Sequence, residues 1–136
     1  KQSSRAINLA LRDAKTNKEE VDYINFHGTS TLINDKVETL AVKQAFNSHA
    51  MNIPSSSTKS MVGHPQGASG ALGVTVSALS LKNGFMTPTI NMEKPDPECD
   101  MDYVSNIGRE SKIQVAVSNC ISFGSKNSAM VLKKYN

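Results

Sequence analysis

Helix-like and strand-like periodicities alternate along this chain, and that alternation limits its fold more than any single residue does. Ile7, Ala10, Leu11 and Ala14 fall at i, i+3, i+4 and i+7, leaving Arg5, Arg12 and Asp13 to solvent, which predicts an amphipathic helix over residues 3–14. The run "VDYINFHG" is β-branched and aromatic and closes on glycine, so it reads as a buried strand presenting His27 at its carboxyl end. In "NDKVETLAVKQAF", Asn34 is the expected N-cap, Asp35 and Glu38 suit the positive end of a helix dipole, and Val37, Leu40, Ala41 and Ala45 make one apolar face.

"MNIPSSSTKS" supplies a short extended piece after a proline turn. A third helix is expected over residues 66–82, apolar on most sides, stopped by Asn83 and Gly84, and therefore mostly buried. The proline-bearing stretch "FMTPTINMEKPDPECDMDY" has no steady period and reads as a long ordered loop or partly extended arm. Two strands end the chain: "KIQVAVSNC", with Ile113, Val115 and Val117 inward, and "SAMVLKK" after the turn "SFGSKN". The order α-β-α-β-α-loop-β-β implies an α/β fold with helices layered on a sheet.

Composition narrows the class further. At 136 residues the chain forms one modest core and one domain, residues 1–136. Its 15 basic and 12 acidic residues are scattered, with no Trp, so nucleic acid is not an expected partner. No apolar run reaches the roughly 18–20 residues of a membrane span. Cys99 and Cys120 match no metal spacing, and without a secretory segment a reducing, cytoplasmic setting is expected. The opening "KQSSRAINLALRDA" begins as if cut from something longer.

Polar groups gather at three strand ends or helix starts: His27 with Thr29, Ser30 and Thr31; Lys59 with His64; and residues 119–127. In α/β sheets, loops beyond the carboxyl ends of strands converge on one cleft. Two imidazoles there are suited to donating hydrogen bonds to one carbonyl oxygen that gains charge in a transition state. Taken singly, His27 fits equally well as a strand-end histidine bonded to backbone. A metal pair is the other alternative, but it lacks an evident third ligand, since His49 sits on the polar turn "NSHAM". Lys59 reads either as a surface lysine or as a buried ammonium faced by Asp35 and Glu38. Gly67, Gly70 and Gly73 recur every third residue, which fits neither a dinucleotide turn nor a P-loop; with Ala68, Ala71 and Ala78 they read as a close-packing stripe.

The blocks "HGTST", "NDKVETLA", "SSTKSMVGH", "PDPECDMDYV" and "SNCISFG" resemble, in order and spacing, the C-terminal half of β-ketoacyl-acyl carrier protein synthases of the synthase II type. That resemblance implies half of a thiolase-like fold, with α/β/α layers and a mixed sheet. It implies decarboxylative Claisen condensation of an acyl chain with a malonyl group, in fatty-acid or polyketide elongation. By the same resemblance His27 and His64 match the histidines that polarise the malonyl thioester. Lys59 matches the family lysine, and Asp35 and Glu38 match acids that support it. Thr29 and Thr31 match threonines that hold the phosphopantetheine arm, and Phe123 matches the gating phenylalanine whose backbone N–H helps an oxyanion hole.

The implied partners are acyl carrier protein, the N-terminal half of the same enzyme, and a second subunit in a homodimer or ketosynthase heterodimer; no metal or nucleotide cofactor is implied. The family's cysteine nucleophile belongs to that N-terminal half, so this chain alone is expected to be inactive. Departures are also evident. Cys120 stands for a serine, Ile121, Ser122 and Ser125 alter the gate, and Gly73 stands where many fatty-acid members carry a glutamate. The alternative reading is a non-catalytic chain-length subunit paired with a true ketosynthase; a degradative thiolase lacks support because no glycine follows Cys120.

Overall fold

A computed structural model of the chain describes residues 2–122, 124 and 126–135. Helix α1 (Gln2–Asp13) buries Ile7 and Leu11 as its spacing demands. Strand β1 (Tyr23–Asn25) is buried throughout. It leads to helix α2 (Asn34–Phe46), strand β2 (Ser55–Ser56), the single-turn helix α3 (Lys59–Val62) and helix α4 (Ser69–Asn83). Short strands β3 (Phe85–Met86) and β4 (Arg109–Glu110) pair antiparallel and bracket the arm between them. Strands β5 (Val115–Ile121) and β6 (Asn127–Lys133) complete the main sheet.

That sheet runs in the order β2-β1-β5-β6. Strand β1 pairs parallel with β2 and β5, while β5 and β6 form an antiparallel pair. Alternate residues of the strands feed two cores. Ile24, Val115 and Val117 pack with Ile7 and Leu11 of α1 and Val42 and Phe46 of α2, whereas Tyr23 and Ala116 pack with Leu81 of α4. The result is the expected α/β/α layering with a mixed sheet, a thiolase-like fold. Among the described residues no helix is long and apolar enough to cross a membrane.

Five local expectations are corrected. In α2 the inward face is Glu38, Ala41, Val42, Ala45 and Phe46, while Val37 and Leu40 stay 49% and 55% exposed. The helix is turned so that its carboxylate, not Val37, faces the interior. Asn34 is the first helical residue and not the cap; its backbone N–H donates to the Thr31 hydroxyl at 3.2 Å. Ile113 joins the α4 side of the sheet, opposite Val115 and Val117, because it precedes β5 and escapes the strand's alternation.

Helix α4 is not mostly buried. Ser69, Gly73, Ser77, Ser80 and Leu81 face the sheet, and Leu79 is exposed. Small side chains bring the helix close: a Cβ on Gly73 would lie 2.7 Å from Ser118 Oγ and 3.1 Å from Asn25 Oδ1. The close-packing stripe reduces to this one position, since a Cβ on Gly67 would meet nothing within 4 Å and one on Gly70 only Cys120 Sγ at 3.9 Å. Gly84 ends the helix in the left-handed conformation, as expected.

Candidate active site

The loops after β1 and β2 leave the same edge of two parallel neighbours, so their side chains are forced together. His27, just past β1, is 6% exposed. Gly28 then turns with φ of +41°, and a Cβ there would sit 2.4 Å from Ser57 Cβ, so only glycine lets the β1 and β2 loops approach this closely. Ser57 Oγ donates to the Gly28 carbonyl at 2.6 Å and locks the two loops.

Glu38 organises this turn from below. It is fully buried, and its carboxylate accepts the backbone N–H of His27 and of Gly28, each at 2.8 Å. The Asn119 and Asn34 side-chain amides add donors at 3.3 and 3.4 Å. Burial pushes the carboxyl above its ordinary value, while the Gly28, His27, Asn119 and Asn34 hydrogen bonds pull it back. All four neighbours are donors, so the ionised form is the one this pocket satisfies.

Lys59 opens α3 at the end of the β2 loop. Burial lowers its pKa, and the nearby charge of Glu38 opposes that shift. Asp35 has a different task from the one expected. Its carboxylate accepts the Ser30 backbone N–H at 3.1 Å and the Asn34 amide at 3.2 Å, shaping the 29–31 loop.

His64 lies on the loop after α3, exposed, with its ring centroid 5.5 Å from that of His27 and the two planes at 82°. Its Nδ1 accepts the Gln66 backbone N–H at 3.0 Å, which leaves Nε2 as the nitrogen that carries the proton in the neutral ring. The pKa of His27 is lowered to about 4, first by burial, then by the Lys59 charge and by His64. At neutral pH His27 is therefore an uncharged imidazole, and among the described residues its buried Nδ1 meets no hydrogen-bond partner. The expected convergence of the strand-end loops is present for His27, Lys59 and His64.

Thr29 and Thr31 sit on the outer rim with their hydroxyls 3.3 Å apart. They line a cleft of about 700 Å³ together with Lys59, Cys99 and Tyr103. His27 and His64 lie beside this cleft and do not line it. The arm between β3 and β4 forms its far wall, held by Ser57 N–H to Thr89 Oγ1 and Ile90 N–H to Ser60 Oγ, both at 3.0 Å. Lys36 pairs with Asp96 and Glu98, and Lys43 with Asp100, binding the acidic end of the arm to α2.

Phe123 and Ser125 of the altered gate lie outside the described residues. Asn119 belongs to the third polar cluster, and its place beside Glu38 gives it a definite partner. Tyr103, whose hydroxyl lies 2.6 Å from Thr39 Oγ1, and Ser69 were not singled out by sequence reasoning. The i, i+5 spacing of His64 and Ser69 across a loop-to-helix junction is the only signal that could have found the latter. His49 is half-buried, with Nε2 shielded from solvent, and stands apart from the two histidines. Among the described residues no group of three or more His, Cys, Asp or Glu could hold a metal.

Residues 1–93 match a family model described as β-ketoacyl synthase, C-terminal domain. The chain is 48% identical over 133 residues to 3-oxoacyl-[acyl-carrier-protein] synthase 2 of Synechocystis, an alignment covering 98% of this chain and 32% of that protein. It is 42% identical over 134 residues to the tetracenomycin polyketide synthase ketoacyl synthase alpha subunit of Streptomyces glaucescens, again covering 98% and 32%. A solved type II polyketide acyl carrier protein in complex with its ketosynthase superposes with TM-score 0.95 at 36% identity, over 98% of this chain and 33% of that one. The ishigamide ketosynthase/chain length factor superposes with TM-score 0.93 at 37% identity, over 98% and 33%. The chain thus spans about a third of the length of these relatives.

Proposed function

Since the chain belongs to the β-ketoacyl synthase family through its C-terminal domain, we propose that it supplies the decarboxylating half of a condensing site: His27, His64 and Lys59 acting on a malonyl thioester. The observation that carries this reading is the pair of imidazoles with ring centroids 5.5 Å apart at the mouths of neighbouring strands. Decarboxylation of a malonyl thioester leaves an enolate whose charge collects on the thioester oxygen. Neutral imidazole N–H groups aimed at that oxygen stabilise it without surrendering a proton, and removing one such donor typically costs about 3–4 kcal/mol of barrier.

The low pKa of His27 serves this chemistry, because an uncharged ring donates a hydrogen bond and does not protonate the carbanion. Burial keeps His27 uncharged, the Lys59 charge adds to that effect, and the charge of Glu38 in turn favours the Lys59 ammonium. In this reading Thr29 and Thr31, on the rim of the cleft, hold a phosphopantetheine arm, and malonyl and acyl groups arrive on acyl carrier protein. In this reading the nucleophilic cysteine and the gate's other contacts come from the remainder of the protein, and the intact enzyme pairs with a second subunit. The carbanion then attacks the acyl thioester on that cysteine, forming the carbon–carbon bond and expelling the thiolate.

The second reading is a chain-length subunit that shapes the cavity of a partner ketosynthase; it is favoured by the similarity to a ketosynthase/chain length factor structure. Intact mass of the full-length protein, after incubation with acyl and malonyl carrier proteins, separates the two. Covalent acylation with release of carbon dioxide is expected for a condensing enzyme. A protein that stays unacylated and binds a homologous subunit would instead be a chain-length partner.

A further inference from the structure

We propose that Ser69 is a positioning residue for His64, an inference that rests on the role given to His64 above. The exposed His64 ring meets the His27 ring edge-on along one side, and its hydrogen bonds supply the remaining restraint on its rotation. The loop runs from Gly63, with φ of +77°, to Gln66, a non-glycine residue with φ of +43°. That turn aims the Gln66 backbone N–H at Nδ1. The second partner is Ser69 Oγ, 3.1 Å from the same nitrogen.

Ser69 is the first residue of α4 and is 7% exposed, so its position is set by the helix. A backbone N–H already donates to Nδ1, so that atom is the acceptor, and its one in-plane lone pair is shared between that N–H and the Ser69 hydroxyl. The two bonds approach from different elements. Gln66 opens the short 3-10 turn Gln66–Ala68 that leads into α4, whereas Ser69 belongs to α4 itself, which packs on β1 and β5. Ser69 therefore fixes the ring's rotation, keeping Nε2–H free for substrate and aimed from a fixed anchor.

The test uses the full-length protein, its malonyl-carrier-protein decarboxylation and its ¹⁵N-histidine NMR spectrum. Ser69→Ala is expected to lower kcat for decarboxylation about three- to tenfold, as for one lost neutral hydrogen bond, with KM unchanged. The His64 Nδ1 resonance should move toward the position of an imidazole nitrogen with fewer hydrogen bonds, and Ser69→Thr should restore both. In a His64→Ala background, Ser69→Ala should have no further effect.

Unchanged kcat and an unchanged Nδ1 resonance in Ser69→Ala would overturn the proposal. Equal loss of acyl loading and decarboxylation with a lowered melting temperature would also overturn it, showing that Ser69 only supports the fold. Full decarboxylation by His64→Ala alone would refute the reading of His64 itself. Ser69 would then lose its positioning role for this reaction, and the NMR shift would report a structural contact alone.

Discussion

Glu38 is the buried charge on which the geometry of His27 depends, and replacing it gives a prediction whose size follows from the contacts. Glu38→Gln keeps the shape but offers one acceptor oxygen in place of two. One of the N–H groups of His27 and Gly28, both now bonded at 2.8 Å, would face the amide NH₂ and be left unpaired. An unpaired buried N–H costs about 1–3 kcal/mol, and the surviving bond falls from charge-assisted to neutral strength. Relief of the carboxylate's burial offsets part of this, so the net expectation is about 1–3 kcal/mol.

Glu38→Ala frees both N–H groups and opens a void, for about 3–5 kcal/mol. The assay is thermal unfolding of the full-length protein combined with amide hydrogen exchange. Exchange at His27 and Gly28 should accelerate in both variants and more in alanine, with decarboxylation falling in the same order. If Glu38→Ala melted within about 0.5 kcal/mol of the parent, a typical surface-substitution effect, or left exchange at His27 and Gly28 unchanged, the clamp would not exist.

Three further outcomes are expected. The pKa of His27 lies near 4 in the native state against an ordinary 6.5, so the unfolded chain binds the extra proton between those values. Its contribution to stability is therefore complete above pH 6.5 and lost as pH falls toward 4; the full linkage of roughly 3 kcal/mol shrinks to about 1–2 with solvent screening. In His27→Gln the acid limb of the unfolding midpoint should flatten, and an unaltered limb would assign it to carboxylates. Gly73→Ala places a methyl 2.7 Å from Ser118 Oγ, so overpacking of about 1–3 kcal/mol competes with a helix-propensity gain of about 1 kcal/mol. A net loss of about 1 kcal/mol, relieved by Ser118→Ala, is expected in thermal melts; stabilisation would show that α4 has room to shift. Lys36→Ala combined with Lys43→Ala removes the ion pairs that bind the arm to α2. Proteolysis and amide exchange over residues 93–100 should rise with little change in melting temperature, and 1 M salt should mimic the effect; no change would mean that the arm is held by its hydrogen bonds alone.

Much of this was legible in the residues. Periodicity located α1, α2, α4 and the long strands because burial of Ile7, Leu11, Val115 and Val117 follows the 3.6- and 2-residue repeats; it missed α3, a single turn too short to show a repeat, which opens at the end of the stretch read as extended. It misjudged α2 because an apolar count gives Val37 and Leu40 the core and cannot anticipate a buried glutamate whose partners are backbone N–H groups eleven and ten residues earlier. It misjudged α4 because Ser69, Ser77 and Ser80 look polar yet face the sheet, while Leu79 looks buried yet does not. The strand-end rule brought His27, Lys59 and His64 to one place. It could not show that Asp35 serves the 29–31 loop, nor that Ser69 reaches His64, since both depend on turns whose left-handed residues Ser30 and Gln66 are not glycines.

The most direct test of the central claim is to separate the two half-reactions in full-length protein carrying His64→Ala. Acyl transfer from acyl carrier protein to the enzyme is predicted to persist, while carbon dioxide release from malonyl carrier protein falls by roughly 100-fold or more, the usual consequence of losing an oxyanion donor. Equal loss of both steps, or decarboxylation at the parental rate, would contradict the assignment of His64 to the malonyl thioester.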